Sequence, residues 1–253
     1  MGLNKSTGNM YNHKLPNIDI LKNEYFDKKM STVDIAKKYN VTTGAVLLRF
    51  SRKKIKIRSI VESLVLKGNY ANISDNLVNF LNGLLLGDGS VVFAGRKKSC
   101  WYAHTDKNKE YLTWLVNEFY KFGIECSKII PSHNNAWQVR TKSYRNFVDI
   151  RNKWYPNGKK IIPDIELKPI TLFNWYIGDG SYDKKSISHK VVICSQFDQF
   201  GKYVMSNKLI ELGIKNSVYS NMIYIKSESR KEFFKYIKSC MFKIPKCYLY
   251  KFN

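Results

Sequence analysis

LNGLLLGDGS (81–90) and LFNWYIGDGS (172–181) are two apolar runs, each closed by Gly-Asp-Gly-Ser, and their aspartates, Asp88 and Asp179, stand 91 residues apart. One such run reads as a helix stopped by a turn, because glycine tolerates the backbone conformations that end helices. Two copies in the same frame predict an internal duplication. The sequence downstream of each copy supports this. After Asp88 the pattern gives two strands around 91–104, a helix KEYLTWLVNEFYKFGI (109–124), strands near 126–141 and a helix SYRNFVDIRNKW (143–154). After Asp179 come strands around 187–197, a helix KYVMSNKLIELGI (202–214), strands near 217–226 and a helix SRKEFFKYIKSCMF (229–242). The two inner helices end in Gly-Ile almost in register, with Gly123 35 residues past Asp88 and Gly213 34 past Asp179. Each unit therefore reads helix-strand-strand-helix-strand-strand-helix, an α+β fold built twice over residues 76–165 and 166–253.

Composition bounds what such a chain can do. Its 253 residues are 44% hydrophobic and 14% aromatic, enough to bury a core. Against 20 Asp and Glu stand 43 Lys and Arg, a formal charge of +23. That excess costs folding energy through self-repulsion and points to a polyanionic partner. Nucleic acid ranks first and an anionic membrane surface second, since the aromatics are scattered among the lysines rather than gathered on one amphipathic helix. No run is long and apolar enough to span a bilayer, and the N-terminus lacks a secretory pattern, so the expectation is an intracellular protein. The opening MGLNKS fits only the loose myristoylation pattern. The five cysteines form no CxxC pair and read as reduced thiols, while the four histidines lack zinc-like spacing.

The duplication suggests what the two aspartates do. Small residues at Gly83, Gly87 and Gly178 would let the two motif helices approach about a pseudo-twofold axis and bring Asp88 and Asp179 face to face. Each carboxylate would then sit at the negative end of a helix dipole and beside a like charge. Divalent cations compensate such an arrangement, and carboxylates, carbonyls and water are the ligands Mg²⁺ prefers, with Mn²⁺ an acceptable substitute. Metals held there could activate water and stabilise the leaving oxygen of a phosphodiester.

Ahead of the duplication, residues 1–20 are polar and Asn-rich and read as a flexible lead-in. Residues 21–60 carry two short helical patterns. Ile35, Ala36 and Tyr39 share one face behind a cap at Ser31 or Thr32; Ala45, Val46 and Phe50 share another behind Thr42 or Thr43, with a turn at Asn40-Val41. With RKKIKIR (52–58) after it, the segment resembles the helix-turn-helix family, whose second helix enters the DNA major groove. That resemblance implies DNA contacts from Thr42, Thr43, Arg49 and Arg52, together with Leu47. Gly44 inside the second helix costs about 1 kcal/mol relative to Ala. A polar linker, 61–75, follows.

Residues 76–253 resemble the LAGLIDADG homing endonucleases in their single-chain, two-repeat form. The resemblance rests on LNGLLLGDG and LFNWYIGDG and extends through GKKIIPDIELKPITLFNWYIGDGS (158–181), which is similar to the branch that includes the yeast mitochondrial intron endonuclease. It implies a saddle of two αββαββα units with strands along the major groove of a long asymmetric site. It also implies Mg²⁺-dependent double-strand cleavage with one aspartate per strand, by a monomer acting wherever its host DNA resides. Gly87 and Gly178 join Asp88 and Asp179 as implied metal ligands. A basic residue near each scissile phosphate corresponds here to Lys160, just before IIP, and Lys251, in the closing YLYKF; each lies 72 residues past its aspartate. Such a lysine stabilises transition-state charge or polarises the attacking water. His104 and Gln196, 16 and 17 residues past their aspartates, are candidates for ordering solvent around the metals. Asn174 and Trp175 depart from the small and aliphatic residues usual at their positions, which sets close packing of the helices against the pattern.

Arg140, Lys142, Lys190 and Lys226 are the candidate DNA contacts of the strands, and alternation lets Arg140 and Lys142 point together. Two further readings use the same fold: an inactive DNA-binding regulator, and a maturase that binds its host intron RNA. Retention of both acids weighs against the regulator. The absence of a splice-junction Cys and terminal His-Asn disfavours an intein.

Overall fold

A computed structural model describes residues 15–59, 62, 69–95, 97–184, 189–195 and 199–252. The chain divides into two compact units, Met1–Gly68 and Asn69–Asn253.

In the first unit, α1 (Ile18–Lys22) runs into a π-helical turn (Asn23–Asp27), followed by α2 (Thr32–Lys38) and α3 (Thr43–Arg52). Ser31 caps α2 in a reciprocal capping box with Asp34, and the Thr42 side chain accepts from the Ala45 N–H to cap α3. Between them Asn40 takes a left-handed φ of 50°, a conformation Asn adopts more readily than most residues. Leu15, Leu21, Tyr25, Ile35, Ala36, Val46 and Phe50 form the core. Here the structure corrects the expected boundary: residues 15–20 are no loose lead-in, because burying Leu15 and capping α1 with Asn17 tie them down. The rest of that lead-in, 1–14, lies outside the described residues, as do residues 61 and 63–68 of the expected linker. The linker is also shorter than 61–75. Asn69 O accepts from the Arg145 N–H, and Ala71 exchanges two hydrogen bonds with the Asn146 side chain, so residues 69–75 belong to the second unit.

The second unit repeats itself. The first copy is α4 (Asp75–Leu86), β1 (Ser90–Ala94), β2 (Ser99–Asp106), α5 (Lys109–Lys121), β3 (Ile130–Pro131), β4 (Trp137–Arg140) and α6 (Phe147–Trp154). The second is α7 (Pro169–Asp179), β5 (Gly180–Asp183), β6 (Lys190–Cys194), α8 (Gln199–Glu211), β7 (Asn216–Tyr219), β8 (Met222–Ile225) and α9 (Arg230–Lys238), closed by a 3-10 turn (Lys246–Lys251). The two antiparallel sheets have the same order, β1-β2-β4-β3 and β5-β6-β8-β7. The second hairpin begins earlier than expected, since β5 pairs directly after Asp179, and β3 is only two residues long. One face of each sheet, carrying Val91, Tyr102 and Val139 or Val191, Ile193 and Ile223, joins the core formed with the helices.

Helices α4 and α7 lie at the centre of that core. Ser74 caps α4, and Pro169 opens α7 at a position where its missing N–H costs nothing. They touch most closely at Gly83, where a Cβ would lie 2.4 Å from the Thr171 carbonyl oxygen and 2.8 Å from the Asn174 Cβ. Asn174 thus does not hold the helices apart, because the pseudo-twofold sets it against a residue with no side chain. Its amide donates to the Ile170 carbonyl at 2.7 Å. Trp175 is fully buried in the core on the same helix.

A candidate catalytic site at the meeting of the two motif helices

The helices meet again at their C-terminal ends. A Cβ on Gly87 would lie 3.7 Å from the Gly178 Cα and 3.8 Å from Asp179 Oδ1, ordinary contact distances. Asp88 and Asp179 follow immediately at the ends of the two helices, so the sequence pattern and the packing bring both acids to one junction. Burial and the like charge of Asp88 push the Asp179 carboxyl up to about 7, against the opposing pull of Lys160 and Lys251. The Trp175 indole N–H, one helical turn back, reaches toward this carboxylate and lowers it slightly without completing a hydrogen bond of good geometry.

Each motif helix has a lysine at its carbonyl end. Lys160 Nζ donates to Gly87 O at 2.9 Å and to Gly89 O at 3.1 Å. Lys251 Nζ donates to Ile177 O at 2.5 Å and to Gly178 O at 3.3 Å. The equal spacing seen in the sequence therefore has a spatial counterpart: both ammonium groups cap the carbonyl ends of the motif helices. Burial pulls Lys160 down to about 8, offset in part by Asp179 and Asp88, and pulls Lys251 below the usual lysine range in the same way. Lys251 is only 6% exposed. Its turn is held by the Tyr176 hydroxyl, which donates to the Lys251 carbonyl at 2.7 Å, and by Tyr248, which donates to Asp106 of the first copy at 2.8 Å. Neither Tyr176, Tyr248 nor Asp106 had a marker in the sequence; their roles follow from the turn that returns the chain to the junction.

A divalent cation fits this donor set in part. The described residues contain no cluster of three or more His, Cys, Asp or Glu side chains that could hold a metal. Two carboxylates, with the Gly87 and Gly178 carbonyls beside them, match the few-ligand mode of Mg²⁺, which takes its remaining oxygens from water and phosphate. Both carbonyls already accept from an ammonium, so a metal would share them with Lys160 and Lys251.

His104 has an apolar residue at the matching position of the second sheet. Ser90 lies opposite Ala103 and Ser181 opposite Val192, so the residue matching His104 in the second sheet is Ile193. The second hairpin connection is two residues shorter, so a count from the aspartates does not land on matching strand positions in the two copies. Gln196 itself lies outside the described residues. His104 is 3% exposed, its Nδ1 2.7 Å from the Tyr102 hydroxyl, and burial lowers its pKa despite Asp106 and Asp88 nearby. A neutral imidazole therefore stands beside the first aspartate, and the Tyr102 hydroxyl fills the space next to Gly89 where a Cβ would lie 2.5 Å away.

Of the strand residues, Arg140 is exposed at the end of β4, Lys190 at the start of β6 and Lys226 just past β8. Lys142 is ion-paired with Glu125, which neutralises it locally. In the first unit, Thr42 is exposed but occupied as a cap, Thr43 is partly exposed, Arg52 is exposed, and Arg49 is half-buried.

Residues 78–233 match the LAGLIDADG DNA endonuclease family. The chain is 29% identical over 153 residues to the uncharacterized protein MJ1098 of Methanocaldococcus jannaschii, covering 57% of this chain and 57% of that protein. It is 24% identical over 180 residues to the cytochrome b mRNA maturase bI2 of Debaryomyces hansenii, covering 54% of this chain and 67% of the maturase. Among solved structures, the homing endonuclease I-WcaI bound to its DNA recognition sequence shares the fold at a TM-score of 0.60 and 20% identity, over 78% of this chain and 93% of that one.

Proposed function

The chain belongs to the LAGLIDADG DNA endonuclease family, and on that footing we propose that it is a divalent-metal-dependent, site-specific DNA endonuclease of the homing type that cuts both strands of a long target. The observation that carries this reading is the junction itself: two acids at paired helix ends, where half-buried Lys160 caps one helix and buried Lys251 the other. Asp88 serves one strand and Asp179 the other. A bound Mg²⁺ or Mn²⁺ supplies Lewis acidity toward the scissile phosphate and an acidified water. Asp88 and Asp179 would hold it, with the Gly87 and Gly178 carbonyls at hand. Lys160 and Lys251 place positive charge where the pentacovalent phosphate gains negative charge, and their carbonyl hydrogen bonds fix them before substrate arrives. Lys160, brought down to about 8, can also hand over or take up a proton near neutral pH.

One chain carries both acids, so the proposed active form is a monomer. Its basic sheet faces take the duplex, and the N-terminal helices, with Thr42, Thr43, Arg49 and Arg52, extend the footprint as a helix-turn-helix. The protein acts inside the cell or organelle that holds its host DNA. A second reading has one observation in its favour, the similarity to a protein named as a cytochrome b mRNA maturase: the same basic surface would bind the RNA of a host intron.

The test is a randomised duplex library incubated with the protein and Mg²⁺, with new ends sequenced beside EDTA and Asp179→Asn samples. Metal-dependent double-strand ends at one long site, reduced to nicks by Asp179→Asn, are expected. Selective binding without new ends would remove the endonuclease and leave the regulator; stimulated splicing of a bound intron would establish the maturase.

A further inference from the structure

The two sheets can be matched row by row, because each starts beside its motif. In the first, Ser90 lies opposite Ala103 and Ala103 opposite Arg140. In the second, Ser181 lies opposite Val192 and Val192 opposite Tyr224. Arg140 and Tyr224 therefore occupy one position in two copies of the same sheet. The neighbouring row makes Gln138, opposite Thr105, the counterpart of Met222, opposite Cys194. Strand alternation sends all four away from the core, since Val139 and Ile223, the residues between them, are buried.

Each pair is tied together, with opposite chemistry. Arg140 Nη2 donates to Gln138 Oε1 at 3.0 Å, and the guanidinium lies 5.6 Å from the centre of the Trp101 ring. The Tyr224 hydroxyl donates to the Met222 sulfur at 3.4 Å. One sheet thus offers a braced fork of cationic donors; the other offers, at the same place, a ring and a thioether without charge. In the major groove an arginine fork matches the O6 and N7 acceptors of guanine, whereas apolar surface suits the thymine methyl. Bracing favours base reading over phosphate contact, because a phosphate accepts a guanidinium in many poses and gains little from one fixed in advance.

Resting on the reading of these faces as major-groove surfaces, we propose that the DNA target is chemically unequal at one pair of positions equidistant from its centre. A guanine stands under Arg140 in one half-site, and a thymine, recognised through its methyl, stands under Met222 and Tyr224 in the other. The target is thereby given a direction that the pseudo-twofold of the fold alone would not give it.

A binding selection on randomised duplexes tests this with the full chain, in Ca²⁺ and in EDTA so that no cutting is required. The expected selected sites carry guanine on one side and thymine at the mirrored position. Arg140→Ala should flatten the guanine preference there alone and weaken binding to the selected site about ten- to a hundredfold. Arg140→Lys keeps the charge but not the fork, so base preference should fall while salt dependence persists. Replacing the thymine by deoxyuridine should weaken wild-type binding about fourfold, the worth of one buried methyl, and have no effect on Met222→Ala. The same base at both positions, a guanine preference that survives Arg140→Ala, or no enrichment at all would each overturn the inference. Asymmetric selection without cleavage would support it while removing the endonuclease; cleavage at one site without these base preferences would do the reverse.

Discussion

The two copies share strand order, helix order and the spacing from acid to lysine, yet they solve the same packing problems with different side chains. Beside the last motif glycine of the first copy stands Tyr102, from strand β2 and bonded to His104; beside Gly180 of the second stands Tyr176, from the motif helix itself. At the helix contact Gly83 faces Asn174, a small residue against a larger one, while Gly87 faces Gly178, small against small. One turn before its aspartate the first helix carries Leu84 and the second Trp175. Duplication thus preserves backbone geometry, and with it the convergence of the two acids, while each copy is free to tune its own surroundings. On the proposed reading, a duplicated chain with unequal halves suits a DNA target whose halves differ.

The largest expected break in the symmetry comes from the lysines. Lys160→Met and Lys251→Met should each slow cutting of one strand by about 10²–10³-fold, the usual loss when one preorganised charge is removed from a transition state. Strand-resolved cleavage of a labelled duplex should show nicks on opposite strands for the two variants. In the wild type, cutting that depends on the Lys160 ammonium should decline as pH rises through about 8, where that group loses its proton. Nicks on the same strand from both variants would mean that the two copies do not divide the strands.

The helix contact is the next place to press. Gly83→Ala sets a methyl against the Thr171 backbone, and with backbone on both sides little can give. A loss of about 3 kcal/mol is expected, the upper part of the range for overpacking. Gly87→Ala meets only ordinary contact distances and should cost under about 1 kcal/mol. Denaturant melts of the two variants compare them directly, and equal losses would show that the contact is uniform along the helices.

How much of this was readable from the chain depends on whether a feature is periodic or contingent. The motif runs, the Gly-Ile helix ends and the equal acid-to-lysine spacing are repeats, and repeats survive in sequence; they gave the two-copy fold and placed Asp88, Asp179, Lys160 and Lys251 at one junction. Close packing despite Asn174 was not readable, because it depends on which residue faces it across the axis. Nor was the true counterpart of His104, since a hairpin connection two residues shorter shifts any count taken from the aspartate. Lys142 looked like Arg140 in sequence, and only the fold reveals Glu125 beside it.

A smaller effect concerns the charge of Asp179. Burial raises Asp179 to about 7, so the metal-free fold binds a proton there that the unfolded chain has already released. Stability from this group is present below about pH 4 and is lost as pH rises toward 7. In EDTA at pH 8, Asp179→Asn should therefore stabilise the protein by about 2 kcal/mol, from about 1.4 kcal/mol for each tenfold change in proton affinity, discounted for partial solvent access. At pH 4 the gain should vanish. Mg²⁺ should restore the wild type at pH 8 and leave the variant nearly unmoved. Thermal melts at the two pH values, with and without metal, decide it, and a gain that persists at pH 4 would assign the effect to packing rather than charge.

The smallest effect isolates Trp175. Its indole N–H contributes a polar influence on Asp179 that Leu84 cannot offer Asp88. Trp175→Phe removes that group and keeps most of the buried ring. The midpoint of the pH-dependent stability loss in EDTA should then move upward by at most about one pH unit, the worth of roughly one weak hydrogen bond. Strand-resolved cutting should change only on the strand assigned to Asp179. If the midpoint stays put while stability falls, the tryptophan serves the core alone, and the Asp179 carboxyl is set by burial and the like charge beside it and not by a neighbour built to steer it.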